Sequence, residues 1–262
     1  MRAIASSVNG RLGNQLWQIA AGLSAALDNG AEFFINGRPG EWVYQPFFGR
    51  QMALADASGF HRPDFGPGFD YRGPIAMPPG DVRWRLEGYF LSHRYHSHNR
   101  AFIQNELRPS PAVEARVSGF LSQFGDRKLC SVHVRRDDFL GLPHFGFIGE
   151  RYYERAIPMI GGDPLFLVFS DDMPWCRSFF KGPEFHFVEG NEDAVDNRIM
   201  SRCHAHVNSN STFGWWAAYL DDRPGQEVVM PDYKSAYFRE GAEGIKEFVL
   251  PGWRVVEGSR TV

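Results

Sequence analysis

The chain has 262 residues, of which 43% are hydrophobic and 23% are charged, and its formal net charge is −3. This length suffices for one large domain or two small ones. The nearly balanced charge gives no sign of the clustered basic surface on which nucleic-acid binding depends, so we expect no nucleic-acid partner.

The sequence favours a cytoplasmic protein. No apolar run approaches the ~18 residues of a spanning helix, and the first residues do not form a signal peptide, so we expect no integral membrane segment. Peripheral attachment at an inner membrane is the alternative. The three cysteines, Cys130, Cys176 and Cys203, lie in apolar segments without close pairing, which is typical of a reducing compartment.

The chain opens as a strand, a glycine loop and a helix. Residues 2–8 have strand length, and an apolar stripe from Leu16 to Leu27 predicts a core-facing helix that stops at Asn29-Gly30. The loop between them, residues 9–14, would let backbone N–H groups approach an anion, and an ordinary turn is the alternative.

The next part of the chain has less periodicity. Residues 37–82 are rich in glycine, proline and aromatic residues and predict irregular structure that caps the first domain. A strand is predicted over residues 86–90 and an amphipathic helix over residues 112–124.

From about residue 126 short apolar runs alternate with helical segments. Strands are predicted at 129–135, 165–169, 185–188, 205–208 and 227–230, and helices at 149–160, 173–180, 193–203 and 213–221. This alternation predicts a parallel α/β sheet, which binds ligands at the carboxyl ends of its strands.

The first strand of that series ends in charged residues. Strand alternation places His133 and Arg135 on one face, and Arg136 follows. An arginine at a strand's carboxyl end can bind a diphosphate bidentately. A surface cluster of arginine–aspartate ion pairs is the alternative. We favour a functional role, because charged residues directly after a buried strand cost free energy that a binding function would explain.

Two later strand ends are also polar. After Phe169, one of Ser170, Asp171 and Asp172 could cap the next helix, or a carboxylate could contact a ribose or base in a nucleotide pocket. After the strand at 205–208, residues 208–212 carry more small hydrogen-bonding side chains than one helix cap requires, which indicates an anion cradle at a helix N-terminus.

The histidine clusters do not predict a metal site. His93, His96 and His98 form one group and His204 and His206 another, and neither has a partner pair at the spacing of a zinc finger. We therefore expect no metal ligands in this chain.

Taken together, the polar segments resemble glycosyltransferase family 11, the inverting α-1,2-fucosyltransferases, in its bacterial form. The family pattern G-x-L-G-N-Q-x-F-Q is matched at residues 10–18, and H-V-R-R-G-D-Y at residues 133–139. F-S-D-D-x-x-W-C occurs unbroken at residues 169–176, and N-S-S-F-S-W-W-A-A-W-L is matched at residues 210–220. The four segments stand in the family's order, and the resemblance covers nearly the whole chain.

The resemblance implies an α/β protein of the GT-B class, with two Rossmann-like domains facing across a cleft. Residues 1–125 would form the N-terminal, acceptor-side domain and residues 126–262 the domain that binds GDP-fucose. No cofactor is expected, because GDP-fucose is the donor substrate. The implied donor-binding residues are Gly13, Asn14, Arg135, Arg136, Asp171, Asp172, Asn210, Ser211, Thr212 and Phe213.

The implied reaction moves L-fucose to O2 of a terminal galactose on a glycan acceptor, without a metal ion. The predicted catalytic residues are Arg135, Asp138 and His133. Asp138 is the first candidate for a general base, and Glu150 and His144 are the reserves.

Some departures of this chain from the family pattern bear on its function. Asp137 replaces a glycine, which adds a carboxylate and removes backbone freedom, and Trp17 replaces a phenylalanine. The loop from Leu140 to Gly149 is short, which bears on acceptor preference. Two alternatives therefore stay open: transfer of another GDP-sugar or to another position, and a non-catalytic protein that binds nucleotide sugars or glycans.

Overall fold

The computed structural model describes residues 1–65, 71–141, 148–221, 223–232 and 246–257, with only the backbone for Asp138 and Lys246. The chain divides into two compact units, Met1–Val113 and Glu114–Val262. The division expected from the sequence, between residues 125 and 126, lies further along the chain.

The first unit contains a parallel sheet. Its strands are β1 (Ala3–Ser6), β2 (Glu32–Asn36), β3 (Leu54–Ala55) and β4 (Arg83–Leu86), and its helices are α1 (Leu12–Asp28) and α2 (Arg100–Glu106). Among the described residues the strand order is β3-β2-β1-β4, and every pair is parallel. The predicted opening of strand, loop and helix is confirmed.

One predicted strand of this unit is wrong. The extended segment is Arg83–Leu86, and it pairs with β1, whereas residues 87–90 lie outside it. Gly88 has φ of +149° and Phe90 has φ of +51°, and these left-handed conformations end the strand. The strand β2 was not among the predicted elements.

The second unit begins with helix α3 (Pro111–Leu121), which spans the division, and then alternates strands and helices. These are β5 (Leu129–Val134), α4 (Asp137–Leu140), α5 (Glu150–Ala156), β6 (Leu165–Ser170), α6 (Met173–Phe179), β7 (Phe185–Phe187), α7 (Asp193–Ser201), β8 (Ala205–Val207), α8 (Thr212–Leu220), β9 (Glu227–Pro231) and β10 (Arg254–Val256). Over the described ranges the sheet order is β10-β9-β8-β5-β6-β7, with parallel pairing throughout.

Strand β5 is buried on both faces, which is why its sequence is a continuous run without exposed polar positions. Cys130, Val132 and Val134 pack with α5 and α6 in one core cluster. The alternate residues Ser131 and His133 point to the opposite face. The two parallel sheets confirm the predicted α/β fold with two Rossmann-like units.

The three cysteines are free and buried. None of the helices in the described ranges has both the length and the apolar character that crossing a bilayer requires.

Candidate active site

The carboxyl edge of the second sheet collects three of the predicted polar segments. From β5 the chain continues to β6 on one side, and β8 pairs with β5 on the other side. The point at which the strand order reverses therefore lies between β5 and β8, where doubly wound sheets bind ligands. The segments that follow β5, β6 and β8 carry the predicted arginines, aspartates and helix terminus.

Arg135 and Arg136 are both held by aspartates from the segment after β6. Arg135 Nη1 lies 3.0 Å from Asp171 Oδ2, and Arg136 Nε lies 3.1 Å from Asp172 Oδ2. The backbone N–H of Arg136 also donates to Asp171 Oδ1 at 2.9 Å. All four side chains are largely shielded from solvent, with 13–26% exposed. The two carboxylates therefore orient the guanidinium groups, a contact that the predicted ribose or base role did not include.

An aromatic side chain supports the second arginine. The Arg136 guanidinium carbon lies 4.2 Å from the Trp175 ring centroid, a cation–π distance. Asp172 also accepts from the Trp175 backbone N–H at 3.1 Å and so caps α6. Trp175 was not among the predicted site residues, although it belongs to the quoted F-S-D-D-x-x-W-C segment, which could have indicated it.

His133 lies beneath this edge and is held on both sides. Its Nδ1 is 3.0 Å from Ser209 Oγ, its ring centroid is 5.4 Å from that of Phe213, and its backbone oxygen accepts from Tyr153 Oη at 3.1 Å. Burial, assisted by the charge of Arg135, lowers the pKa of His133 to about 3. At neutral pH the imidazole is therefore uncharged, which suits packing and orientation better than proton donation.

Helix α8 begins at the same edge, and its first turn is fixed from two directions. Ser211 Oγ accepts from the Phe213 backbone N–H at 3.3 Å, and Asn197 Nδ2 in α7 donates to the Phe213 carbonyl at 2.8 Å. Asn210, Ser211 and Thr212 are buried. A helix N-terminus carries partial positive charge from its N–H groups, so this turn can bind an anion.

The predicted base candidates are only partly described. The backbone of Asp138 lies in α4, while its side chain and the whole of His144 lie outside the described residues. Glu150 is the first residue of α5 and is exposed. Asp137 is also exposed, and its φ is not positive, so the conformational freedom of the family's glycine is not needed here.

In the first unit, the predicted Gly13 and Asn14 form part of the first turn of α1. Gly10 before them has φ of +77°, and a Cβ there would lie 2.8 Å from Asn14 Nδ2. Gln18 Oε1 accepts from the Asn9 backbone N–H at 2.8 Å, which ties the loop to the helix. The loop thus has the predicted strand–glycine–helix geometry.

A half-buried carboxylate in α7, Asp196, was missed by the sequence reasoning. Burial raises the pKa of Asp196 to about 6, although Asn191 Nδ2 donates to its Oδ1 at 2.9 Å. A carboxylate shifted by burial is a candidate ligand-binding group. Its position within an amphipathic helix gave no signal that distinguished it from a solvated charge.

A Ser–His–Asp series of contacts also exists inside the second unit. His206 Nδ1 is 2.9 Å from Ser131 Oγ, and His206 Nε2 is 3.2 Å from Asp221 Oδ2. Ser131 and His206 are completely buried and Asp221 nearly so. A substrate could not reach Ser131, so this arrangement stabilises the core and is not a hydrolase site.

Within the described part of the chain there is no group of three or more His, Cys, Asp or Glu side chains that could hold a metal ion.

The chain is similar to known proteins over most of its length. A family model described as Glycosyl transferase family 11 matches residues 81–257. A galactoside α-(1,2)-fucosyltransferase 2 from Bos taurus is 30% identical over 248 residues, which are 86% of this chain and 70% of the relative.

Two relatives from Escherichia coli match shorter stretches. The O-antigen biosynthesis glycosyltransferase WbnK is 35% identical over 38% of this chain, and an α-1,2-colitosyltransferase is 37% identical over 52% of it. The chain spans 37% of the first relative and 49% of the second, less than half of either length.

A solved structure shows the same fold. The crystal structure of NodZ α-1,6-fucosyltransferase soaked with GDP-fucose gives a TM-score of 0.59 at 15% identity, covering 89% of this chain and 96% of that one. At this identity the likeness concerns the fold alone. Two Rossmann-like units place the protein in the GT-B class of folds. Together with the family match over residues 81–257, this assigns the chain to glycosyltransferase family 11, as the sequence motifs predicted.

Proposed function

We propose that this protein transfers L-fucose from GDP-fucose to O2 of a terminal galactose, with inversion at the fucose C1. The observation that carries the proposal is the arrangement at one sheet edge of two oriented guanidinium groups, Arg135 and Arg136, and the buried first turn of α8. Both features bind phosphate oxygens in other proteins. The fucosyltransferase relatives support fucose as the transferred sugar.

The chemistry follows from this arrangement. The acceptor oxygen forms a bond to C1 as the bond between C1 and the β-phosphate oxygen breaks, and the bonding electrons leave with GDP. Negative charge therefore grows on the diphosphate in the transition state. A guanidinium at Arg135 and the N–H groups at the start of α8 stabilise that charge electrostatically.

The acceptor hydroxyl must also lose its proton. A carboxylate within hydrogen-bond reach of that hydroxyl is the usual base in an inverting transfer. Asp138, which follows the arginines directly in sequence, is our first candidate, and Glu150 and His144 are the reserves. Donor contacts by Gly13 and Asn14 remain part of the proposal.

A different GDP-sugar is the second candidate donor. The α-1,2-colitosyltransferase relative is 37% identical to this chain over 153 residues, higher than the fucosyltransferase from Bos taurus. The donor sugar is therefore tested directly, with GDP-fucose, GDP-colitose and GDP-mannose compared at equal concentration.

The first experiment measures GDP release from GDP-fucose with and without lactose, in buffer that contains EDTA. Release that requires lactose supports the transferase proposal, and its persistence in EDTA supports metal independence. Release that stops with EDTA and returns with Mg²⁺ contradicts metal independence. If GDP is released from GDP-colitose but not from GDP-fucose, colitose is the transferred sugar.

A non-catalytic binding protein is the remaining alternative. It predicts GDP binding without turnover across a panel of galactose-terminated acceptors. In the sequence, the replacement of the family's glycine by Asp137 favoured this alternative, because it removes backbone freedom. In the structure the Asp137 side chain is exposed and its φ is not positive, so the backbone there does not need a glycine. A cytoplasmic location also remains a proposal, and cell fractionation tests it.

A further inference from the structure

Helix α8 contains a glycine in its first turn, where glycine weakens a helix. Gly214 is the third residue of this helix, between Phe213 and the completely buried Trp215. Its φ is not positive, so backbone conformation does not require glycine. The reason must therefore lie in what surrounds its Cα.

Two buried polar groups surround that position. A Cβ on Gly214 would lie 2.7 Å from Asn208 Oδ1, closer than side chains tolerate, and 3.0 Å from His133 Nδ1, a tight contact. Asn208 is completely buried, and within the described part of the chain its carboxamide has no hydrogen-bond partner on either atom. An unpaired buried carboxamide is unfavourable, so its retention needs a reason.

Both neighbours have little room to move, because the Asn208 side chain is completely buried in a closely packed interior and the His133 ring is held by a hydrogen bond. His133 Nδ1 is held by Ser209 Oγ at 3.0 Å. The backbone of Asn208 is fixed because its carbonyl accepts from Tyr152 Oη at 2.6 Å and its N–H donates to the Val229 carbonyl at 2.9 Å. A larger residue at 214 would therefore displace the helix, because the sheet edge beneath it is pinned.

We infer that Gly214 and Asn208 form a positioning pair, which sets how closely the N-terminus of α8 approaches the end of β5 and therefore the diphosphate of the donor. This inference rests on the proposed function, since it gives the α8 terminus the anion-binding part. Ser211 and Thr212 lie at this terminus, and Arg135 follows β5. A misplacement of about 1 Å between such groups can cost about 100-fold in rate.

The test compares Gly214→Ala with the double variant Gly214→Ala/Asn208→Ala, using calorimetric affinities for GDP and GMP. In the single variant we expect GDP affinity to fall by about tenfold or more, and GMP affinity to fall less, because the displaced turn faces the diphosphate. In the double variant the closer clash, with the carboxamide, is gone and only the 3.0 Å contact with His133 Nδ1 remains, so we expect most of the GDP affinity to return.

A matched control is available in another helix. Gly119 lies in α3, and a Cβ there would meet nothing within 4 Å. Gly119→Ala should therefore leave GDP and GMP affinity unchanged, and it controls for the general effect of replacing a helical glycine with alanine.

Each outcome decides the inference. Wild-type GDP affinity in Gly214→Ala overturns it, and so does an equal loss for GDP and GMP, which indicates general disruption. If Gly214→Ala does not fold, a folded double variant that binds GDP supports the pair, and a double variant that is unfolded or does not bind overturns it. Absence of GDP binding by the wild-type protein contradicts the proposed function instead.

Discussion

Replacement of Arg135 by alanine is the sharpest test of the active-site assignment. It removes the guanidinium that Asp171 holds at 3.0 Å, in a site where the arginine side chain is only 15% exposed. Loss of one group that stabilises developing charge in a shielded site costs about 3–4 kcal/mol, or 10²–10³-fold in kcat. We therefore expect kcat for transfer to fall by about that factor, with a smaller change in the KM for the donor.

The same substitution leaves Asp171 without its ion-pair partner, which costs about 1–3 kcal/mol of stability. The kcat of the variant must therefore be measured below its melting temperature, which a thermal unfolding curve of the same variant provides. Arg155→Ala is the control, because its contact with Glu257 is long, at 3.8 Å, and exposed to solvent, so transfer should be unchanged. A folded Arg135→Ala protein with near-wild-type kcat refutes the role that we assign to this arginine.

Three further predictions concern stability. Burial lowers the pKa values of His96 and His133 to about 3, so these groups stay neutral in the folded state while the unfolded chain takes up protons below about pH 6.5. Stability should therefore fall with pH from about 6.5 towards 3, by ~2 kcal/mol per histidine at pH 5, and equal urea midpoints at pH 7 and 5 would contradict this. Tyr152→Phe removes a buried hydroxyl whose single hydrogen is shared between the carbonyls of Asn208, at 2.6 Å, and of Val229 in β9, at 3.2 Å, and should destabilise the protein by ~1–3 kcal/mol in urea unfolding; an unchanged midpoint would show that this hydroxyl contributes nothing net. Asp172→Ala removes the cap on Trp175 in α6 and should lower stability by ~1 kcal/mol or more, with an unchanged melting temperature as the opposing result.

Strands β5 and β6 of the second sheet were predictable because they are buried on both faces and therefore read as short apolar runs, whereas the partly exposed β10 was not predicted. In the first unit, β4 was misplaced by a few residues. Its sequence, Arg-Trp-Arg-Leu, becomes a strand through pairing with β1, while the more apolar segment after it contains a glycine and a phenylalanine in left-handed conformations. Tertiary pairing overrode local pattern there.

The site was predictable as a set of strand ends, but its contacts were not. Val134 pairs with Ser170 in the β5–β6 register, and this brings Arg135 beside Asp171. As long as the strand register is unknown, the same residues are compatible either with a diphosphate site or with a cluster of ion pairs. The structure shows the ion pairs, and they are compatible with a diphosphate site because they orient its cations. Asp196 gave no signal, and Asn208 was noticed only as one of the polar residues at 208–212, since the particular roles of both depend on burial.

The pairing of two arginines with two aspartates also determines the long-range electrostatic field of the site. The four charges at Arg135, Arg136, Asp171 and Asp172 sum to zero, so beyond a Debye length of about 8 Å in physiological salt they exert little field on an approaching anion. A nucleotide sugar would then arrive by unguided diffusion and be recognised only at short range. Its association rate should accordingly depend little on ionic strength, unlike the steered encounters of strongly basic clefts.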